Sequence, residues 1–437
     1  MTMKESRWVQ HHQQTEYPMK ANMTRRRFLA NGALAATLAG GIPALRPTTA
    51  RAQSGVSAGD SPRYRVAVIG HTGRGDYGHD LHLAWNDIAR DQAQVVALAD
   101  PDPTGRAAAI ESLGGGTIQP FDDWQRMLDE VKPDILTICP RYIDVHKPML
   151  MAAAESGIKG VFCEKPLCDT LADIDELIAM HDRTGMQVVM AHQTRYSPIW
   201  RQVKEIVAAG KLGNILEIRA RGKEDARSGI EDMLVLGTHL FDMVQDAWGM
   251  PQWCFGTVTD SANDYRPITR DDLREASDGM FRIAGDTVHA MYGLPNGKML
   301  YFDSVNDDRG GARFGLRIYG SQGIIEVGMG YMPPAYFFPH RTWSPIRGKR
   351  DWMPISSAGL NKEEPIPEAK RALHWGNVAA CEDLLRVLET PPSGEIVHPV
   401  ADIRQARTAL EMVIAPIASS LAGTPVNLPL TNRGNPF

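Results

Sequence analysis

The sequence predicts an α/β protein, with a doubly wound parallel sheet in its first half and an antiparallel meander in its second. Three observations carry that prediction. From Tyr64 to Met190, short apolar runs of strand length alternate with helical stretches, and such alternation builds parallel sheets. The first run stops at Gly70 and opens into a glycine-rich loop, as a nucleotide-binding strand–turn–helix does. From Trp253 on, strand-length segments follow one another, and Asn296-Gly297 between two of them is a strong hairpin signal.

Composition bounds the rest. The chain has 437 residues, 43% hydrophobic and 23% charged, an ordinary globular make-up with room for roughly two or three domains. Charge is uneven. Residues 1–52 hold eight Lys/Arg against two Asp/Glu, and the remainder holds 39 against 50, a net −11. An acidic body argues against nucleic acid or an anionic membrane as partner. Thr24-Arg25-Arg26-Arg27-Phe28-Leu29 is a twin-arginine motif, followed by a weakly apolar run from Gly32 to Leu45 and a small-x-small site, Ala50-Arg51-Ala52. That order reads as a Tat export signal cut after Ala52, so a periplasmic or otherwise exported protein without membrane attachment is expected. Cys139, Cys163, Cys168, Cys254 and Cys381 are odd in number and not in zinc-type pairs, so free thiols and no metal site are expected.

Taken in order, residues 53–63 are a polar linker and Tyr64–Gly70 a buried strand. The loop after it has two registers. Gly70-x-Thr72-x-x-Gly75 starts at the strand end but has Thr at its second place; Gly73-Arg74-Gly75-x-x-Gly78 fits the dinucleotide fingerprint letter for letter but starts late. The first glycine should turn the chain off the strand, which favours the first register. A helix over His79–Ala89 and a strand over Gln94–Asp100 follow. A carboxylate at Asp100 would accept from both ribose hydroxyls, favouring NAD over NADP. Helices are predicted over Pro103–Leu113 and Trp124–Val131, then a strand over Asp134–Pro140, with Pro140 near the nicotinamide in such a layout. His146 opens a helix over Lys147–Ser156. The strand Gly160–Cys163 delivers Glu164-Lys165-Pro166, and a helix over Ala172–Thr184 and a strand over Met186–Met190 close the series. Pro166 biases Lys165 toward extended backbone. Lys165 is either an amine aimed into the cleft at the strand ends or a surface lysine paired with Glu164.

The second half predicts a helix over Ile199–Ala209, a strand over Leu216–Arg221 and the meander. It then predicts an irregular insert over 329–372 rich in proline and aromatics, amphipathic helices over Gly376–Leu388 and Val400–Leu421 expected to pack back on the first half, and a tail strand over Pro425–Pro429. The insert, which includes Trp343, is read as a packing or subunit-contact segment, with a carbohydrate-stacking lip as the alternative.

The glycine-rich strand–turn–helix, the strand ending at Pro140 and Glu164-Lys165-Pro166-Leu167 together resemble the Gfo/Idh/MocA oxidoreductases, over nearly all of residues 64–430. The resemblance implies a Rossmann domain over 64–192 and a C-terminal α/β domain over 193–437 with a large, mostly antiparallel sheet. It also implies a homo-oligomer, and hydride transfer between nicotinamide and a carbinol carbon of a sugar, cyclitol or glycoside. Expected cofactor contacts are Gly70, Thr72, Gly73, Arg74, Gly75, Asp100, Pro140, His146, Glu164 and Lys165. His192-Gln193-Thr194-Arg195-Tyr196 resembles the family's polar segment after the fifth strand. Gly237-x-His239-x-x-Asp242 resembles its second motif, with His239 as proton shuttle and Asp242, one turn on, orienting the ring. The resemblance makes Lys165 catalytic as well: it would steady the oxygen as charge develops, or take the hydroxyl proton if desolvation lowers its pKa. Arg195 and Lys223, with Lys165 and His239, are candidate substrate contacts. One position departs: Val235 stands where many sugar dehydrogenases of the family have Asp. That keeps open a redox-neutral hydrolase, lyase or epimerase using tightly retained, self-recycled NAD, which also suits an exported protein.

Overall fold

The structure, a computed structural model, describes residues 62–225, 227–276, 281–306, 313–342, 351–390 and 397–434. The export signal and most of the linker lie outside these residues, as does Trp343. Six parallel strands form the first sheet: β1 (Tyr64–Ile69), β2 (Ala93–Ala99), β3 (Gln119–Phe121), β4 (Ile135–Ile138), β5 (Gly160–Cys163) and β6 (Gln187–Met190), in the order 3-2-1-4-5-6. All residues of β4, β5 and β6 are buried, as unbroken apolar runs covered on both faces require. The order reverses between β1 and β4. The crevice beyond their carboxyl ends is where open α/β sheets bind ligands, and it collects Gly70, Pro140 and Glu164-Lys165.

Helices α1 (Pro103–Ser112), α2 (Trp124–Val131), α3 (His146–Glu155) and α4 (Leu171–Thr184) connect the strands. Their ends follow the sequence. Asp102, Asp123 and Thr170 accept bonds from first-turn amides, and Gly185 closes α4 at φ 74°. Two elements differ from prediction. β3 escapes a periodicity search because it has three residues, only Phe121 buried. The segment after the glycine loop is a 3₁₀ helix, Leu81–Asp87, entered through left-handed Asp80. The long loop consumes residues that an α-helix would have used, and Leu81, Ala84 and Trp85 still reach the core.

The second half is built on an eleven-stranded sheet. Its strand β7 (Ile215–Arg221) runs parallel to Met299–Ser304 and antiparallel to Gly315–Gly320. The Asn296-Gly297 hairpin forms as predicted: both residues have positive φ, and Leu294 N–H donates to the Lys298 carbonyl at 2.8 Å. The described residues of segment 329–372 are not wholly irregular. Ala335–Phe338, Met353–Ser356 and Gly359–Leu360 add strands to the sheet edge, because its prolines interrupt a true alternation at Ala335–Phe338 without abolishing it.

Helices α5 (Pro198–Ala208), α6 (Gly229–Asp232), α7 (Thr238–Trp248), α8 (His374–Glu389) and α9 (Ile403–Ala422) complete the fold. Phe241 of α7 packs on Tyr292 and Phe302 of the large sheet, and Tyr292 Oη donates to the Met412 carbonyl of α9 at 2.6 Å. Helix α8 crosses to the parallel sheet, where Leu384 and Leu385 share a core with Phe162 and Val189. The five cysteines are buried free thiols, as expected.

Candidate active site

The loop after β1 folds largely on itself. His71 N–H donates to the Asp76 carbonyl at 3.1 Å and Gly73 N–H to the Asp76 carboxylate at 2.8 Å. The left-handed turns fall at Gly73, Gly75 and Gly78, with φ of 81°, 86° and 62°. The late register therefore carries the glycine geometry, and the preference for a turn at Gly70 is corrected. A Cβ at Gly75 would strike the Arg141 backbone, and one at Gly78 would strike Glu164 and the Cys139 carbonyl. Gly70 is closed over by the Tyr77 ring.

Asp100 takes a different part from the one expected. It is fully buried and accepts from Thr72 N–H at 3.0 Å, Thr72 Oγ1 at 2.7 Å and Asp102 N–H at 2.9 Å. The longer loop brings Thr72 back onto the β2 end, so Asp100 and Thr72 serve each other. Arg74 pairs with Asp144 at 2.6 Å and lies over the Tyr142 ring at the rim. His146, expected against the cofactor, is fully buried and acts as a staple. Its Nε2 lies 2.7 Å from the Pro140 carbonyl and its Nδ1 3.0 Å from the Pro166 carbonyl, which fixes the spacing of the β4 and β5 ends.

Lys165 and Glu164 do not form a surface pair. Glu164 is fully buried and accepts from Lys165 N–H at 2.9 Å and from His79 N–H and Nδ1 at 3.1 and 3.0 Å. Burial pushes its carboxyl up, but His79 and Lys165 outweigh burial and hold it down at about 2. The Lys165 amine reaches away, to the Val235 carbonyl at 2.7 Å. Burial lowers it to about 8, against the opposing pull of Glu164 and with help from Arg227 and Arg141. Val235 sits in a π-helical turn, Met233–Gly237, joining α6 to α7; such turns cluster at functional sites. The position that lacks a carboxylate thus supplies a backbone acceptor.

His239 opens α7 close to this amine. Burial, Lys165, His192 and His79 push its imidazole well below the ordinary histidine value, so it is neutral. Asp242 does not orient it. That carboxylate forms a two-pronged pair with Arg195, at 2.9 and 2.6 Å, and lies 3.4 Å from His192 Nδ1. Arg195 also pairs with Asp246 at 2.8 Å. Its guanidinium is engaged and buried, so it positions α7 rather than contacting a substrate. Lys223 pairs with Asp225 at 3.0 Å and stays half-exposed at the rim, while Arg227 shares the same carboxylate. The sequence reading missed His192, Arg141, His79 and the Val235 carbonyl. For His192 a signal existed, since it follows the β6 end at the same sheet edge as Lys165.

A dinucleotide fits this crevice. The glycine loop crosses the β1 end, and the buried Nε of Arg141, one residue after Pro140, has no hydrogen-bond partner among the described residues. Strand order, loop and switch point define a dinucleotide-binding α/β protein. Comparison with known proteins gives the family. A model described as "Oxidoreductase family, NAD-binding Rossmann fold" matches residues 64–192, and "GFO/IDH/MocA C-terminal domain" matches residues 200–326. Together they cover more than half of the chain, which belongs to the Gfo/Idh/MocA family of NAD-binding oxidoreductases.

D-apiose dehydrogenase of Paraburkholderia graminis is 28% identical over 200 residues, 43% of this chain and 50% of that protein. Myo-inositol 2-dehydrogenase of Thermotoga maritima is 23% identical over 262 residues, 60% of this chain and 74% of that protein. The chain spans about half the length of the first curated relatives it matches, 46% and 50%. Levoglucosan dehydrogenase, solved with NADH and levoglucosan, shares the fold at a TM-score of 0.62 and 17% identity, over 84% of this chain and 99% of that one.

Proposed function

We propose that this protein is an exported NAD-dependent dehydrogenase of a cyclic sugar or polyol hydroxyl. The carrying observation is the buried Lys165 amine at the switch point, lowered to about 8 and placed beside a neutral His239. When bound, NAD supplies the hydride acceptor. The Gly73–Gly78 loop and Pro140 wall its place. Lys165 takes the proton of the reacting hydroxyl, with the Val235 carbonyl holding its amine and Glu164 its backbone N–H in position. His239 hydrogen-bonds the substrate beside it. The names of the relatives, dehydrogenases of apiose and inositol, support a polyol substrate, and no observation favours the redox-neutral alternative.

Lys165→Met tests this reading. It should lower oxidation of the best sugar or cyclitol by about a thousandfold while leaving NADH binding, followed by nicotinamide fluorescence, unchanged. A variant that keeps full turnover overturns the assignment.

Export rests on Arg25-Arg26, and Arg25→Lys/Arg26→Lys should leave the precursor in the cytoplasm on cell fractionation. Homo-oligomerisation is proposed through the uncovered face of the large sheet. There Tyr301, Arg219, Arg317, Glu326 and Tyr336 form one cross-strand row, and light scattering measures the outcome.

A further inference from the structure

Two histidines at this site each keep a ring nitrogen that no described residue engages. Among the described residues, Nε2 of His192 and Nδ1 of His239 are buried without a hydrogen-bond partner, while Nδ1 of His192 lies 3.4 Å from the Asp242 carboxylate. Buried polar groups are almost always paired, and leaving one unpaired is costly. A wall that holds two imidazoles this way is built for hydrogen-bonding groups from outside the chain. The rings lie together, 5.5 Å between centroids and edge to face. His192 follows the β6 end and is 2% exposed, and His239 opens α7 beside Lys165.

The surrounding charges are otherwise committed. Asp242 of α7 is engaged by Arg195 and lies off the Nδ1 corner of His192, at 3.4 Å, which leaves Nε2 as the far corner. Asp383 of α8 is held by Tyr196 and Arg386, and Glu411 of α9 by Arg433. Val235 offers no side-chain polarity. Imidazole edges this close can address hydroxyls on neighbouring carbons of one ring, not on distant ones.

We propose that His192 is a specificity-determining residue which, with His239, hydrogen-bonds two adjacent hydroxyls of a cyclic polyol, so that the site selects a vicinal diol. The inference rests on the dehydrogenase reading above, but its test reads binding rather than turnover. The NADH-loaded protein is titrated with methyl β-D-glucopyranoside, myo-inositol and the monodeoxy analogues of each. In the wild type, loss of one particular hydroxyl should weaken binding at least about tenfold. His192→Phe keeps the ring packing but not the nitrogens. It should weaken the parent ligand by a similar factor and leave the affinity for that one deoxy analogue unchanged, so that discrimination disappears. His192→Gln, which keeps a hydrogen-bonding group, should retain part of it.

A purely structural role would weaken every ligand alike, and that result overturns the proposal. So does His192→Phe with wild-type discrimination, or a wild type that binds parents and deoxy analogues equally or binds neither series. A wild type that discriminates among these ligands yet transfers no hydride supports the proposal and overturns the dehydrogenase reading. If His192→Phe fails to load NADH, the same series on His192→Ala decides.

Discussion

At the scale of single residues, the proposed site turns on Glu164 and Lys165, neighbours in sequence that face opposite ways. The carboxylate turns to His79 and the amine to Val235. A general base is most useful when its pKa lies near the working pH, and an amine at about 8 meets that condition. Oxidation requires the neutral amine, so its kcat/KM should rise as pH climbs through about 8. Reduction requires the ammonium and should fall over the same range, and initial rates in both directions check this pair of slopes. Glu164 makes a stability prediction. Its carboxyl is held below the ordinary 4.5, at about 2. The stabilisation is therefore present above the ordinary value and lost as pH falls through about 2. Glu164→Gln should cost about 2 kcal/mol near neutral pH, His79 being partly exposed, and progressively less in acid, as guanidinium unfolding at a series of pH values would show. In sequence the Glu-Lys-Pro run at a strand end left Lys165 open between a cleft amine and a surface lysine, and the structure removes the second by burying Glu164 and Lys165. The direction of the Lys165 amine was not legible, since that depends on a carbonyl seventy residues away.

At the scale of elements, local signals were enough wherever period and caps agreed. Helix α2 and strand β5 have the predicted bounds, one marked by Asp123 as cap and the other by an unbroken apolar run between Gly160 and the Glu-Lys-Pro turn. The glycine loop was misread because its position, rather than its φ requirements, decided the register. Gly75 needs φ of 86° and has the Arg141 backbone against it. Gly75→Ala should accordingly lose at least about tenfold in NADH affinity through strain and displaced backbone, whereas Gly114→Ala, where a Cβ meets nothing within 4 Å, should bind NADH as the wild type does. Asp242 was misassigned because one-turn spacing from His239 permits a contact without requiring it, and the competing guanidinium of Arg195 lies in a different element. The Asp242–Arg195 pair is 1% and 5% exposed. Asp242→Ala should cost about 3 kcal/mol or more by stranding a buried cation, while Lys223→Ala at the half-exposed rim should change stability by less than about 1 kcal/mol. Thermal melts of the two variants separate these roles.

At the scale of the whole molecule, the two halves read in sequence as consecutive domains are not independent bodies. Helix α8 lies some two hundred residues beyond β6 in the chain, yet it covers the parallel sheet. Leu384 and Leu388 fill the space left by the absent side chain of Gly160. Asn377 joins two site segments, donating to the His79 carbonyl at 3.1 Å and accepting from Gln193 Nε2 at 2.8 Å. The packing of α8 back on the first half is expected from its amphipathic pattern and the family resemblance, and Leu384 and Leu385 do share a core with Phe162 and Val189; the polar ties through Asn377 have no local signal, because they join segments far apart in the chain. The arrangement forecasts how the molecule comes apart. A fragment ending at His192 contains every strand of the first sheet and the whole glycine loop, but it exposes the face that Phe162 and Val189 share with Leu384 and Leu385. It should bind a hydrophobic dye, show weak near-ultraviolet circular dichroism and fail to retain NADH, as loosely packed states do. The intact chain should instead unfold with its nicotinamide site and its large sheet in one transition. A fragment that binds NADH with the affinity of the full chain would show that the parallel half is complete without α8, and that the long-range packing seen here contributes nothing to the site.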